Sequence, residues 1–214
     1  MTVALIAANF LVFFYQLTLG PHALQSFIMT YSLISARVQL AIAGSQFTLA
    51  QGLLPFFTSM FLHAGWLHIL GNMWFLWLFG GNVEDRLGHA PYLGFYLLCG
   101  LGAGIAQTLF SLGSPVPSLG ASGAIAGVLG AYVISFPSSR ILTLITLFFW
   151  WFFARLPAVL FIGLWFLVQF LSGVTSLGSA TSGGVAWWAH VGGFLLGMLL
   201  VSGMRRNQPE YNYR

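Results

Sequence analysis

Charge is almost absent from this chain. Arg37 is the sole Asp, Glu, Lys or Arg before Glu84, and all seven basic residues are arginine. Charged side chains make up 5% of the 214 residues, against 58% hydrophobic. A soluble domain of this length could not bury so much apolar surface. The apolar runs are continuous and do not alternate in ten-residue segments, so a transmembrane barrel is excluded and helices remain. We therefore expect an all-α integral membrane protein with room for about six spans and short loops. The one cysteine, Cys99, lies in an apolar run and has no partner for an internal disulfide. The net charge of +4 bears on topology and not on nucleic acid.

Six stretches read as spans. Thr2–Leu19 reads as a retained first span, with a signal peptide as the lesser alternative. Gly20 to His63 is mixed in character and reads as half-buried or interfacial structure. Glu84-Asp85-Arg86 cannot lie in hydrocarbon uncompensated, so the second span runs back from there to about Ala64, with Trp66 at the interface. Pro91–Phe110 is the third span and Ser122–Phe136 the fourth. The fourth is short: about 15 residues at 1.5 Å give roughly 22 Å against a hydrocarbon core of about 30 Å. Ser122 should then start below the surface, beneath a pit or water-filled cavity. Ile141–Phe153, between Arg140 and Arg155, is too short for a helical span and is expected as an interfacial excursion. Pro157–Leu171 is the fifth span, Ser172–Ala186 a flexible loop, and Trp187–Gly203 the sixth. Arginine is concentrated on one side in this arrangement, which predicts cytoplasmic termini and a plasma (inner) membrane protein. Residues 1–206 form the membrane domain and 207–214 a short cytoplasmic tail.

Polar residues inside spans are costly and usually face a cavity or one another. Four stand out: His68, Asn72, Ser122 and His190. Three distant segments bring them to one shallow layer near the outer face. Gly120-Ala121-Ser122-Gly123 places a hydroxyl at the mouth of a helix, where unpaired N–H groups point outward. Taken alone, that run reads more readily as small-residue packing with an N-cap serine. Gly123 and Gly127 on the fourth span, and Ala189, Gly193 and Gly197 on the sixth, form small faces that allow close approach. A Ser122–His190 hydrogen bond is then geometrically plausible, with His190 taking the serine proton. His68 and Asn72 share a helix face and can donate to a developing oxyanion.

These residues resemble the rhomboid intramembrane serine proteases. The resemblance rests on His68-Ile-Leu-Gly-Asn72, Glu84-Asp85-Arg86, Gly120-Ala-Ser122-Gly123 and Ala189-His190-Val-Gly-Gly193, in family order over nearly the whole chain. It implies a six-transmembrane-helix bundle and a Ser122–His190 dyad without an acid. It further implies an oxyanion site from His68, Asn72 and the Ser122 N–H, and cleavage of transmembrane substrates near the extracytoplasmic face. It makes Ser172–Ala186 a candidate cap loop and the fifth span a candidate lateral gate. Some members carry an aromatic ring four residues after the nucleophile, stacked on the histidine. Here that position is Ala126, so a Phe, a Trp or the backbone must orient His190.

The implied partners are transmembrane protein substrates and the lipid bilayer, with no nucleic acid and no cofactor. His63 and His68 are five apart, off one helical face and without a third ligand, so no metal is expected. Glu84 and Arg86 read as structural ties. Two other readings compete. One is an inactive rhomboid-like protein that binds transmembrane segments, disfavoured because Ser122 and His190 are both present. The other is a transporter or channel, disfavoured because the only acids, Glu84, Asp85 and Glu210, lie at span ends or in the tail.

Overall fold

The apolar runs fold as helices whose ends fall close to those expected. The computed structural model describes residues 1–147, 149–177 and 185–204. In chain order it contains α1 (Thr2–Thr18), α2 (Pro21–Tyr31), α3 (Ser35–Ile42), α4 (Leu49–Leu53), α5 (Pro55–Thr58) and a 3₁₀ turn (Ser59–Phe61). There follow α6 (Trp66–Leu87), α7 (His89–Phe110), α8 (Ser122–Ser135), strands β1 (Arg140–Leu147) and β2 (Trp150–Pro157), α9 (Ala158–Ser176) and α10 (Trp187–Gly203). By length and composition α7 and α9 can each cross a membrane, and α6 joins them if it is counted with Leu49–Phe61, from which it is bent by 79°. The chain is therefore a mostly helical membrane protein with two to three candidate spans. Helices α1, α8 and α10 are apolar but only 14 to 17 residues long, so six spans are not established by this measure.

Helix α8 is the centre. Eleven of its fourteen residues are buried on all sides, as a helix without a polar face requires. Between lipid-soluble helices there is no hydrophobic drive, so close backbone packing has to supply the attraction. The expected small faces do this. A Cβ added at Gly193 would lie 2.0 Å from the Gly123 carbonyl oxygen, and one at Gly197 would lie 2.0 Å from that of Gly127. Gly130 meets Phe194 O in the same way at 2.2 Å. Helices α8 and α10 thus touch through their backbones along about two turns of α8.

Helix α1 is fastened to both ends of α6. At one end the Gln16 amide donates to His63 O (3.1 Å) and accepts from His63 N–H (3.0 Å). At the other, Glu84 pairs with the Met1 amine and accepts from Thr2 N–H at 2.7 Å. Glu84 also meets His89 Nδ1 at the start of α7. Glu84 is the structural tie that the sequence suggested. Arg37, the one charge in the stretch from Gly20 to His63, is buried and donates to the carbonyls of Met29 and Ser32 at the end of α2. It neutralises a helix C-terminus.

Two expectations need correction. The run after Arg140 is an antiparallel hairpin, so the fold is not all-α. Its register pairs Arg140 with Pro157 and Leu147 with Trp150. Ile and Thr in β1 and four successive aromatics in β2 favour extended backbone, a preference that a helix-length argument cannot register. The loop expected from Ser172 begins later, because α9 continues to Ser176. Thr175 Oγ1 donates to Ser172 O (3.0 Å) and Ser176 Oγ to Gly173 O (2.7 Å), satisfying carbonyls that the last turn leaves free. Most of the expected cap loop, at 178–184, and the expected tail at 207–214 lie outside the described residues.

Candidate active site

Ser122 is the first residue of α8, but it does not cap it. The N-cap is Ala121, and no side chain caps the helix. The Ser122 hydroxyl turns instead toward α10, where Oγ lies 2.7 Å from His190 Nε2. The first backbone N–H groups of α8 have no partner within the helix and open toward the same place. Close packing around Gly123 makes this possible: a Cβ there would lie 2.6 Å from Ala103 Cβ on α7, and Ala189 of α10 is in ordinary contact at 3.6 Å.

The loop before Ser122 is held from the other side. Leu33 and Ser118 exchange N–H···O bonds of 2.9 and 2.8 Å, and Gly120 N–H donates to Ser59 O at 2.9 Å. Gly120 has φ +122°, a backbone region that L side chains rarely adopt. A Cβ there would lie 2.8 Å from His68 Nε2 and 3.7 Å from Asn72 Nδ2. His68 and Asn72 therefore converge on the backbone just ahead of Ser122. His68 Nδ1 accepts the Ala64 N–H at 3.3 Å, which leaves its proton on Nε2, the nitrogen facing Gly120. Asn72 is buried, and its Nδ2 has no protein hydrogen-bond partner. Two side-chain donors and the N-terminus of α8 thus surround one spot. A small cavity adjoins Ser122, lined among others by Ser59, Gln107, Ser118 and Ala189.

All four residues singled out from sequence meet here. Chemically, such a site can deprotonate a serine hydroxyl at one nitrogen and hold a carbonyl oxygen with three N–H donors. His63 is a neighbour rather than a member. Its ring is 5.1 Å from that of His68, it is buried, and neither of its nitrogens is hydrogen-bonded. Among the described residues no group of three or more His, Cys, Asp or Glu is placed to hold a metal ion.

One residue was missed. His190 Nδ1 lies 2.7 Å from Gln169 Oε1 on α9. The expected orienting groups were an aromatic ring or backbone. Trp165 does lie near, its ring 5.8 Å from that of His190 and tilted 40°, but the hydrogen-bond partner of Nδ1 is the amide oxygen of Gln169. The signal was present: Gln169 is the one amide in the expected fifth span, and it occupies the outer half of that span.

The Rhomboid domain family model matches residues 50–207. Rhomboid protein 1, mitochondrial, of Saccharomyces cerevisiae is 35% identical over 152 residues, covering 66% of this chain and 39% of the yeast protein. RHOMBOID-like protein 1 of Arabidopsis thaliana is 32% identical over 157 residues, covering 73% of this chain and 36% of its own length. Rhomboid protease GluP of Bacillus subtilis is 42% identical over 83 residues, 39% of this chain and 16% of that protein. The chain thus spans well under half the length of these relatives. The yeast relative is named mitochondrial, so the expected plasma-membrane location draws no support from it. With the family model covering most of its length, this chain belongs to the rhomboid family.

Proposed function

We propose that the chain is an intramembrane serine endopeptidase that cuts transmembrane segments of membrane proteins near the extracytoplasmic face. The observation that carries this is the 2.7 Å contact between Ser122 Oγ and His190 Nε2 at the open N-terminus of α8. In this reading Ser122 Oγ attacks the scissile carbonyl as His190 Nε2 takes its proton. The oxyanion is held by the Ser122 N–H, His68 Nε2–H and Asn72 Nδ2–H. The tetrahedral intermediate collapses, His190 returns the proton to the leaving amine, and an acyl-serine remains. Water, deprotonated by the same nitrogen, then releases the acid.

The reading includes six spans with both termini cytoplasmic, supported by the arginines at one set of helix ends. It places the aromatic hairpin β1–β2 in the headgroup layer, where tryptophan is favoured. Trp150 is 79% and Trp151 73% exposed on the protein, which suits a surface covered by lipid. A catalytically silent relative that only binds transmembrane segments is the reading to be tested against. The purified protein is reconstituted in liposomes with a model transmembrane substrate. Cleavage is expected from the wild type and none from Ser122→Ala, with thermal unfolding nearly unchanged. Retained cleavage by purified Ser122→Ala would exclude Ser122 as nucleophile.

A further inference from the structure

A neutral imidazole carries one N–H, so a histidine that accepts the proton of a serine must keep its own proton on the far nitrogen. Something has to hold it there. In acid-assisted sites a carboxylate does so. Here Glu84 and Asp85 lie in the last turn of α6, more than four helical turns from His68. What faces His190 Nδ1 is the amide oxygen of Gln169, at 2.7 Å. We propose that Gln169 is the positioning residue of the dyad: it accepts the Nδ1–H of His190, and Nε2 is thereby left bare toward Ser122 Oγ. This rests on the Ser122–His190 reading given above.

The surroundings of Gln169 fit the role. Four residues of α9 are buried, namely Ala158, Ile162, Gln169 and Gly173, and Gln169 is the only polar one. Burying an amide in an apolar helix is costly unless it is hydrogen-bonded, and the Gln169 oxygen bonds to His190. Its position is fixed from both sides. One turn before it, Trp165 lies beside the His190 ring. One turn after it, Gly173 packs so closely on α10 that a Cβ would meet Trp188 Cε2 at 3.2 Å. The opposite tautomer of His190 would set a nitrogen lone pair against the Gln169 oxygen and aim an N–H at Ser122. Ala126, the position from which a ring would stack on the histidine, is fully buried and has only a methyl group to offer. Orientation of the base has thus passed from α8 to α9.

Around His190 stand Ser122 from α8, Trp165 and Gln169 from α9 and Trp187 from its own helix. The other titratable side chains at the site are His68, which faces Gly120, and His63 beside it. No carboxylate among the described residues reaches it, so adding one is informative. The full chain in detergent is compared as wild type, Gln169→Leu and Gln169→Glu, reading the pH-dependent rate of fluorophosphonate labelling and kcat and KM for a transmembrane substrate. Gln169→Leu should lower both the labelling rate and kcat about 10–100-fold with KM unchanged, since it strands a buried N–H and frees the tautomer. Gln169→Glu should restore the high-pH rate and move the acid limb of the profile upward by about one unit or more, because a carboxylate beside Nδ1 favours the imidazolium.

A packing role would not move that limb, so a slow Gln169→Leu with an unshifted Gln169→Glu limb overturns the proposal. So does a Gln169→Leu protein as fast as wild type, which leaves the dyad itself standing. Absence of labelling in the wild type would instead overturn the dyad. Should Gln169→Leu fail to fold, ¹⁵N NMR of the histidine-labelled wild type decides: Nδ1–H with a bare Nε2 is expected at His190, and Nε2–H overturns the proposal.

Discussion

Replacing Gly120 by alanine tests the oxyanion arrangement through a single added carbon. That Cβ would fall 2.8 Å from His68 Nε2 and 2.9 Å from Cε1, about 0.6 Å inside ordinary contact. The backbone has little freedom to yield, because Gly120 N–H is bonded to Ser59 O and the Leu33–Ser118 pair grips the loop two residues earlier. The His68 ring must therefore move, and a shift of this order in a donor costs about 10–100-fold in rate. Residence at φ +122° adds about 1–3 kcal/mol of strain, so the melting temperature should fall as well. Cleavage is measured in liposomes, well below the melting temperature, beside His68→Ala. The two variants should lose comparable kcat, and the double variant should lose little more than either alone. Full kcat in Gly120→Ala with a lowered melting temperature would show that His68 does not hold the oxyanion. Additive losses in the double variant would show that Gly120 acts elsewhere.

Two other outcomes follow from packing and electrostatics. Gly197→Ala places a methyl 2.0 Å from the Gly127 carbonyl oxygen, so α10 must move off α8, and unfolding in detergent should show a loss of about 1–3 kcal/mol or more together with slower cleavage. Glu84→Gln removes the ion pair with the Met1 amine and weakens the bonds to Thr2 and His89; it should cost about 1–3 kcal/mol in thermal unfolding and leave kcat and the pH profile in place.

Sequence conveyed the helices well because lipid imposes the rules. With charge confined to a few ends, Glu84-Asp85-Arg86 and Arg140 mark where runs stop, and Trp187–Gly203 is reproduced residue for residue. The small faces on α8 and α10 were legible because glycine spacing alone defines them. The hairpin was not: Ile141–Phe153 is as hydrophobic as a span, and hydropathy does not tell strand from helix in so short a run. Nothing local in the sequence showed that α2 would turn its last carbonyls onto Arg37. Gln169 belongs to no motif, so only its burial in an apolar run marks it. An amide surrounded by Leu, Val and Phe demands a partner as much as a histidine does.

The central claim is that Ser122 is made nucleophilic by His190. The most direct measurement is mass-spectrometric mapping of the adduct formed when the intact protein in detergent reacts with a fluorophosphonate, with His190→Ala alongside. One adduct on Ser122, lost or slowed about 100-fold or more in the folded His190→Ala protein, is the expected result. A wild-type protein without that adduct, or one that His190→Ala leaves unchanged, would contradict the account.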